Sequence, residues 1–86
     1  MLSEEFKRNP VAFYLMAAYA YYVEDSPIME DLEFDALSQY LLENWDTIEH
    51  IHKGFISVGD LEAGTFLGRY PKRVPWALYR YRTSLI

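Results

Sequence analysis

Pro27 divides the first half of this chain into two segments that cannot be one helix. Proline fixes its own φ and disfavours the helical region for the residue before it, so a helix running into Asp25-Ser26-Pro27 must stop there. Upstream, Val11 to Val23 is almost wholly apolar, with alanines at 12, 17, 18 and 20, which predicts a helix buried on more than one face. Pro10 suits a first helical position, and Ser3 and Asn9 are both candidate N-caps. Downstream, Phe34, Leu37, Leu41, Trp45 and Ile48 recur at spacings of three and four, which is one apolar face of a second helix. Glu30, Asp31 and Glu33 sit at its start, where the helix dipole favours negative charge, and its end is expected between Asn44 and Lys53. The two segments predict an antiparallel helical hairpin over residues 10–50.

Gly54 closes that pattern and opens a C-terminal extension, residues 54–86. Ser57-Val58-Gly59-Asp60 has the form of a capping box with aspartate in the fourth place, which predicts a short helix over Val58 to Ala63 ended by Gly64. The rest of the extension reads two ways. It can form two short strands around Pro71 to Pro75, or Pro75 can start a last helix, WALYRYRTSL; the alternation in Leu78-Tyr79-Arg80-Tyr81-Arg82 favours a strand slightly. With 86 residues the chain is expected to be a single domain, 1–86, burying about 60–65% of its unfolded surface. The expected fold class is mainly α: the hairpin plus an extension holding a short helix and room for a short β-ribbon.

Aromatic residues make up 17% of the chain, high for so small a core, so some rings are expected at the surface where a ligand or partner covers them. There is no cysteine, which excludes disulfides, thiolate metal sites and cysteine nucleophiles. The N-terminus lacks the order of a signal peptide and the longest apolar run is too short to span a bilayer, so a cytoplasmic protein with no membrane partner is the expectation. The net charge of −5 hides an asymmetry, because all 13 acidic residues lie between Glu4 and Glu62. Arg69, Lys72, Arg73, Arg80 and Arg82 follow, interleaved with Tyr70, Trp76, Tyr79 and Tyr81. Such a tail either packs on its own acidic body or meets an anionic partner, nucleic acid included.

The stretch Tyr19 to Asp35, YAYYVEDSPIMEDLEFD, resembles the N-terminal helical domain of bacterial NAD⁺-dependent DNA ligases. The matching positions are Tyr19, Tyr21, Tyr22, Val23, Asp25, Pro27, Asp31, Glu33, Phe34 and Asp35. In that family the domain precedes the nucleotidyltransferase domain, closes over NAD⁺ and contacts its nicotinamide mononucleotide (NMN) half. Carried over position by position, the resemblance implies an NMN site made by Tyr21, Tyr22, Asp31, Phe34 and Asp35, with Phe34 where the family usually has tyrosine. The chemistry is coherent. A cationic nicotinamide ring stacks on tyrosine faces, and carboxylates accept hydrogen bonds from ribose hydroxyls. Asp31 and Asp35, four apart, share one helix face and repel each other unless a donor or cation lies between them.

The chemistry of nucleotidyl transfer is not in these residues. Ligases of this family use the lysine of a Lys-x-Asp-Gly motif, and neither Lys7, Lys53 nor Lys72 begins one. Asp46, Glu49, His50 and His52 form a weak metal signature, since two histidines two apart face differently on a helix; a polar helix end is the simpler reading, and no metal is expected. The expected function is therefore a small non-catalytic accessory or interaction protein that recognises another protein, or the NMN half of NAD⁺ together with one. Two alternatives stand beside it: the trans-acting NMN-recognition part of a split ligase, and a nucleic-acid-associated module using the basic aromatic tail. A protein of this kind would suit a compact genome such as a phage's.

Overall fold

The computed structural model describes residues 2–84. Five α-helices follow in order: α1 (Glu4–Arg8), α2 (Pro10–Ala18), α3 (Asp31–Glu43), α4 (Val58–Ala63) and α5 (Val74–Ser84). A π-helical turn, Tyr19–Val23, extends α2, and a 3₁₀ turn, Lys53–Phe55, precedes α4. Among the described residues no helix is long and apolar enough to cross a membrane.

Local chemistry explains the boundaries. The Ser3 hydroxyl accepts from the Phe6 N–H and caps α1, whereas the Asn9 side chain caps nothing and Pro10 occupies the first turn of α2. The α2 segment has no polar stripe, and Val11, Tyr14, Leu15, Met16, Ala17 and Ala18 are all buried. The helical path ends after Val23, as Pro27 requires, and Asp25 takes a left-handed conformation at φ 52°. That region is uncommon for a side chain other than glycine and asparagine or aspartate. The capping box of α4 is formed in full: the Ser57 hydroxyl accepts from the Asp60 N–H at 3.1 Å, and the Asp60 carboxylate accepts from the Ser57 N–H at 2.9 Å. Gly64 closes α4 at φ 73°, where any Cβ would be strained.

Two expectations are corrected. The second helix of the hairpin stops at Glu43, the near edge of the expected window. The Tyr40 carbonyl accepts from both the Asn44 N–H at 3.1 Å and the Asn44 side chain at 2.8 Å; beyond it the Trp45 N–H goes to the Leu42 carbonyl, three residues back, and Trp45 and Ile48 reach the core from the segment that follows. The β-ribbon of the extension is not found among the described residues. Residues 74–84 are helix α5, and Pro75 lies in its first turn, where no backbone N–H is required. The apparent alternation was a helical stripe sampled at the wrong period: Val74, Leu78 and the packed Ala77 and Tyr81 lie at steps of three and four. Leu85, the last residue of the alternative helical reading, lies outside the described residues.

α2 and α3 pack directly on one another, and α2 also carries α5 while α3 carries α4. An aromatic chain runs through this core. Tyr14 stacks on Phe34 of α3 at 5.0 Å and meets Phe66 edge-on at 5.8 Å; Phe66 continues to Tyr70 and Tyr70 to Tyr19, both at 5.2 Å. Gly68 is needed where the chain folds over Phe66, since a Cβ there would lie 2.9 Å from the ring. Burial pushes the Tyr70 hydroxyl up to about 12, with Tyr22 and Tyr19 adding to the effect.

Among the described residues, two hydroxyls in the core lack hydrogen-bond partners, those of Tyr14 and Ser38. Burial pushes the Tyr14 hydroxyl well above the ordinary tyrosine range; the neighbouring Ser38 hydroxyl pulls weakly the other way without reaching hydrogen-bond geometry. Each unsatisfied buried group costs about 1–3 kcal/mol, and removing both together leaves no orphan behind. The double variant Tyr14→Phe/Ser38→Ala, which keeps the ring stack, is expected to be at least as stable as the parent in thermal denaturation, with a rise of several degrees if both penalties are relieved.

Candidate functional site

The π-helical turn makes the site. Its wider winding is closed by a hydrogen bond from the Glu24 N–H to the Tyr19 carbonyl at 3.1 Å, five residues back, and the Ser26 N–H reaches the Ala20 carbonyl at 2.8 Å. Neighbouring residues of an α-helix do not face each other. Here Tyr21 and Tyr22 lie edge to face with ring centroids 4.9 Å apart, and both line the same cavity. Ala20 between Tyr19 and Tyr21 points into the core instead.

That cavity measures about 300 Å³ and is lined by Ala17, Tyr21, Tyr22, Pro27, Met29, Asp31, Phe34, Asp35, Gly64 and Thr65. Its size falls at the low end of small-molecule sites, ~300–1,000 Å³. The five residues singled out by the sequence, Tyr21, Tyr22, Asp31, Phe34 and Asp35, are brought together in it. The two tyrosines are 49% and 40% exposed, so their faces are open to a ligand. Phe34 is held differently: it is half-buried, and its ring stacks on Tyr14, which makes it the floor where the cavity meets the core. Asp31 opens α3 and Asp35 lies one turn on, both exposed. Among the described residues neither has an ion-pair partner, and none of the lining residues is a lysine or arginine. The site is thus an apolar and aromatic recess carrying two uncompensated carboxylates, suited to a planar, cationic or hydroxyl-bearing group.

Sequence reasoning missed the opposite wall. Gly64 and Thr65 come from the C-terminal end of α4, and Met29 from the connection before α3. Gly64 was legible as a helix stop, but nothing local signals that the stop faces Tyr21 and Asp35. The expected polar helix end at His50 and His52 is also corrected, because α3 stops at Glu43. The two histidines instead make a turn in which His50 Nδ1 accepts from the His52 N–H at 3.0 Å. Burial, and then His52, lower the His50 pKa.

The tail cations are not one patch. Arg69 lies beside Ile51, Gly54 and Phe55. Lys72, Arg73 and Arg80 are exposed on and just before α5. Arg82 reaches across to the segment between Tyr22 and Pro27: its guanidinium pairs with the Glu24 carboxylate and donates to the Ser26 carbonyl at 2.5 Å. Tyr81 adds a longer bond to Glu5 at 3.4 Å. Tail and acidic body therefore do attract each other, at the segment leading from the tyrosines to Pro27.

A family model described as the DNA ligase-like, N-terminal NAD⁺-binding domain matches residues 12–57, more than half of the chain. The match contains Tyr21, Tyr22, Asp31, Phe34 and Asp35, while Gly64, Thr65 and the whole of α5 lie beyond it. No curated protein and no solved structure matches the chain.

Arg82 is half-exposed, so its two contacts are worth about 1 kcal/mol rather than the full value of a buried charged pair. Arg82→Ala is expected to lower the melting temperature by about 4–8 °C. Amide exchange should quicken in residues 24–26 while α3 and α4 stay protected; uniform loss of protection would instead mean that Arg82 serves the whole core.

Proposed function

The chain belongs to the family of DNA ligase-like N-terminal NAD⁺-binding domains, and from that premise we propose that it recognises the NMN half of NAD⁺ in its cavity as a non-catalytic component that works beside another protein. The observation that carries this reading is the convergence of two exposed tyrosines, Phe34 and two unpaired aspartates on one recess of about 300 Å³. The nicotinamide ring, cationic in the oxidised cofactor, takes a tyrosine face and lies near the Asp31 and Asp35 carboxylates. The ribose hydroxyls donate to those carboxylates. The phosphate cannot be received in the same recess, because two carboxylates repel it and no lining residue is cationic. It must point outward, toward solvent or toward cations of a second polypeptide.

That division of labour fits the absence of a Lys-x-Asp-Gly sequence among these 86 residues. The chain holds a nucleotide half in place, and the nucleophilic lysine that takes the adenylate lies outside these 86 residues. Binding by the recess alone is weak, because the ordering cost is incurred in full while only part of the ligand is contacted.

Titration with NMN, followed through tyrosine ring resonances, is expected to give a dissociation constant in the millimolar range, about −4 kcal/mol. Nicotinamide riboside should bind at least as well as NMN, since the recess has nothing to offer the phosphate. Asp31→Asn and Asp35→Asn should each weaken binding by about tenfold, the loss of one charge-assisted contact. Unperturbed tyrosines at millimolar NMN, or shifts that persist unchanged in both aspartate variants, would remove the reading.

A further inference from the structure

We infer that the outward face of α5 is a contact surface for single-stranded nucleic acid, formed by Trp76 and Tyr79 with Lys72, Arg73 and Arg80. It lies outside the family match and apart from the NMN recess. The inner face of α5 is used up by packing, through Val74, Ala77, Leu78 and Tyr81, and Arg82 is held by Glu24. What remains outward is a stripe at helical spacing, Arg73, Trp76 and Arg80, with Lys72 and Tyr79 beside it.

Three observations select the ligand. First, the rings are exposed in a way a core does not explain: Trp76 is 60% and Tyr79 58% accessible. Second, they are already arranged as planes. The two rings stack with centroids 5.6 Å apart and 19° between planes, and the Arg80 guanidinium lies 5.9 Å from the Trp76 ring. An outer ring face so oriented accepts a flat base, and guanidinium groups beside it take phosphate. Third, the segment's own charge is one-signed, the carboxylates that reach α5 from other elements lying at Tyr81 and Arg82. No aspartate or glutamate follows Glu62, and among the described residues Lys72, Arg73 and Arg80 have no ion-pair partner. A protein partner that merely covered apolar surface would not call for cations at both ends of the stripe. A duplex, whose bases stack on one another, offers the rings nothing.

The test is fluorescence anisotropy of a labelled dT20 strand with the full chain. Three phosphate-neutralising cations give a slope of about −2 in log affinity against log salt, so binding should fall about 20-fold between 50 and 200 mM NaCl. Trp76→Ala and Tyr79→Ala should each weaken binding by about tenfold, with the circular dichroism spectrum unchanged because both rings point outward. Lys72→Gln/Arg73→Gln should flatten the salt slope by more than half. No binding at 50 mM NaCl, equal or tighter binding to a duplex of the same length, or full affinity in Trp76→Ala would each overturn the inference. So would tighter binding to poly-glutamate or to phosphatidylserine vesicles than to dT20.

Discussion

The contact between Tyr14 and Phe34 joins the hairpin and sets the floor of its cavity. Tyr14 is fully buried on α2, Phe34 is on α3, and their rings stack at 5.0 Å. Through Tyr14 the same contact reaches Phe66, and so brings the segment after α4 onto the hairpin. One face of Phe34 is thereby committed to the core, while its position still borders the recess between Tyr21 and Asp35. Packing and recognition share a side chain here. This gives a physical account of phenylalanine at a position where the family usually has tyrosine: what the core requires of residue 34 is a ring. The cost of the arrangement is visible in the same place, where the Tyr14 and Ser38 hydroxyls are buried without partners.

Charge organises what packing leaves open. All the carboxylates lie in the first three-quarters of the chain, and two of them, Asp31 and Asp35, stand unpaired at the recess. The tail cations are dispersed by α5 rather than gathered: Arg82 steadies the segment between the tyrosines and Pro27, while Lys72, Arg73 and Arg80 face away. A helix places residues two apart on different sides, so Arg80 and Arg82 have separate environments even though the sequence presents them as one cluster. In this way the extension supplies Gly64 and Thr65 to the wall of the recess, and through Arg82 it holds the segment that leads from Tyr22 to Pro27.

The parts of the fold that were legible beforehand are those whose causes are local. Pro27 ends a helix whatever surrounds it. The reciprocal Ser57–Asp60 capping box and the Gly64 stop, whose N–H donates to the Asp60 carbonyl, fall within eight residues, and each appears as the spacing implied. The errors have a common origin in signals that tertiary contacts override. Trp45 and Ile48 continue the helical period of α3 but reach the core from beyond its end, where the Trp45 N–H turns to the Leu42 carbonyl three residues back. Residues 78–82 alternate like a strand yet bury a helical stripe against α2, and the core offers that segment a helix to pack on, with no strand among the described residues to pair with. The candidate site was legible only because the chain resembles a family; composition and spacing alone marked it as aromatic and acidic.

By itself the sequence determined that two helices must be separated at Pro27, that their carboxylates and tyrosines lie on either side of that break, and that a capped short helix follows. Each of these depends on bonds and sterics between residues only a few positions apart. Tertiary structure alone decided that Tyr21 and Tyr22 face one recess, through the extra residue in the π-helical turn. It also decided that Gly64 and Thr65 close the far wall and that Arg82 meets Glu24 across 58 positions of chain. Those outcomes depend on which faces are left over once Tyr14, Leu37, Leu41, Phe66 and Leu78 have been buried together, and no local pattern encodes what is left over.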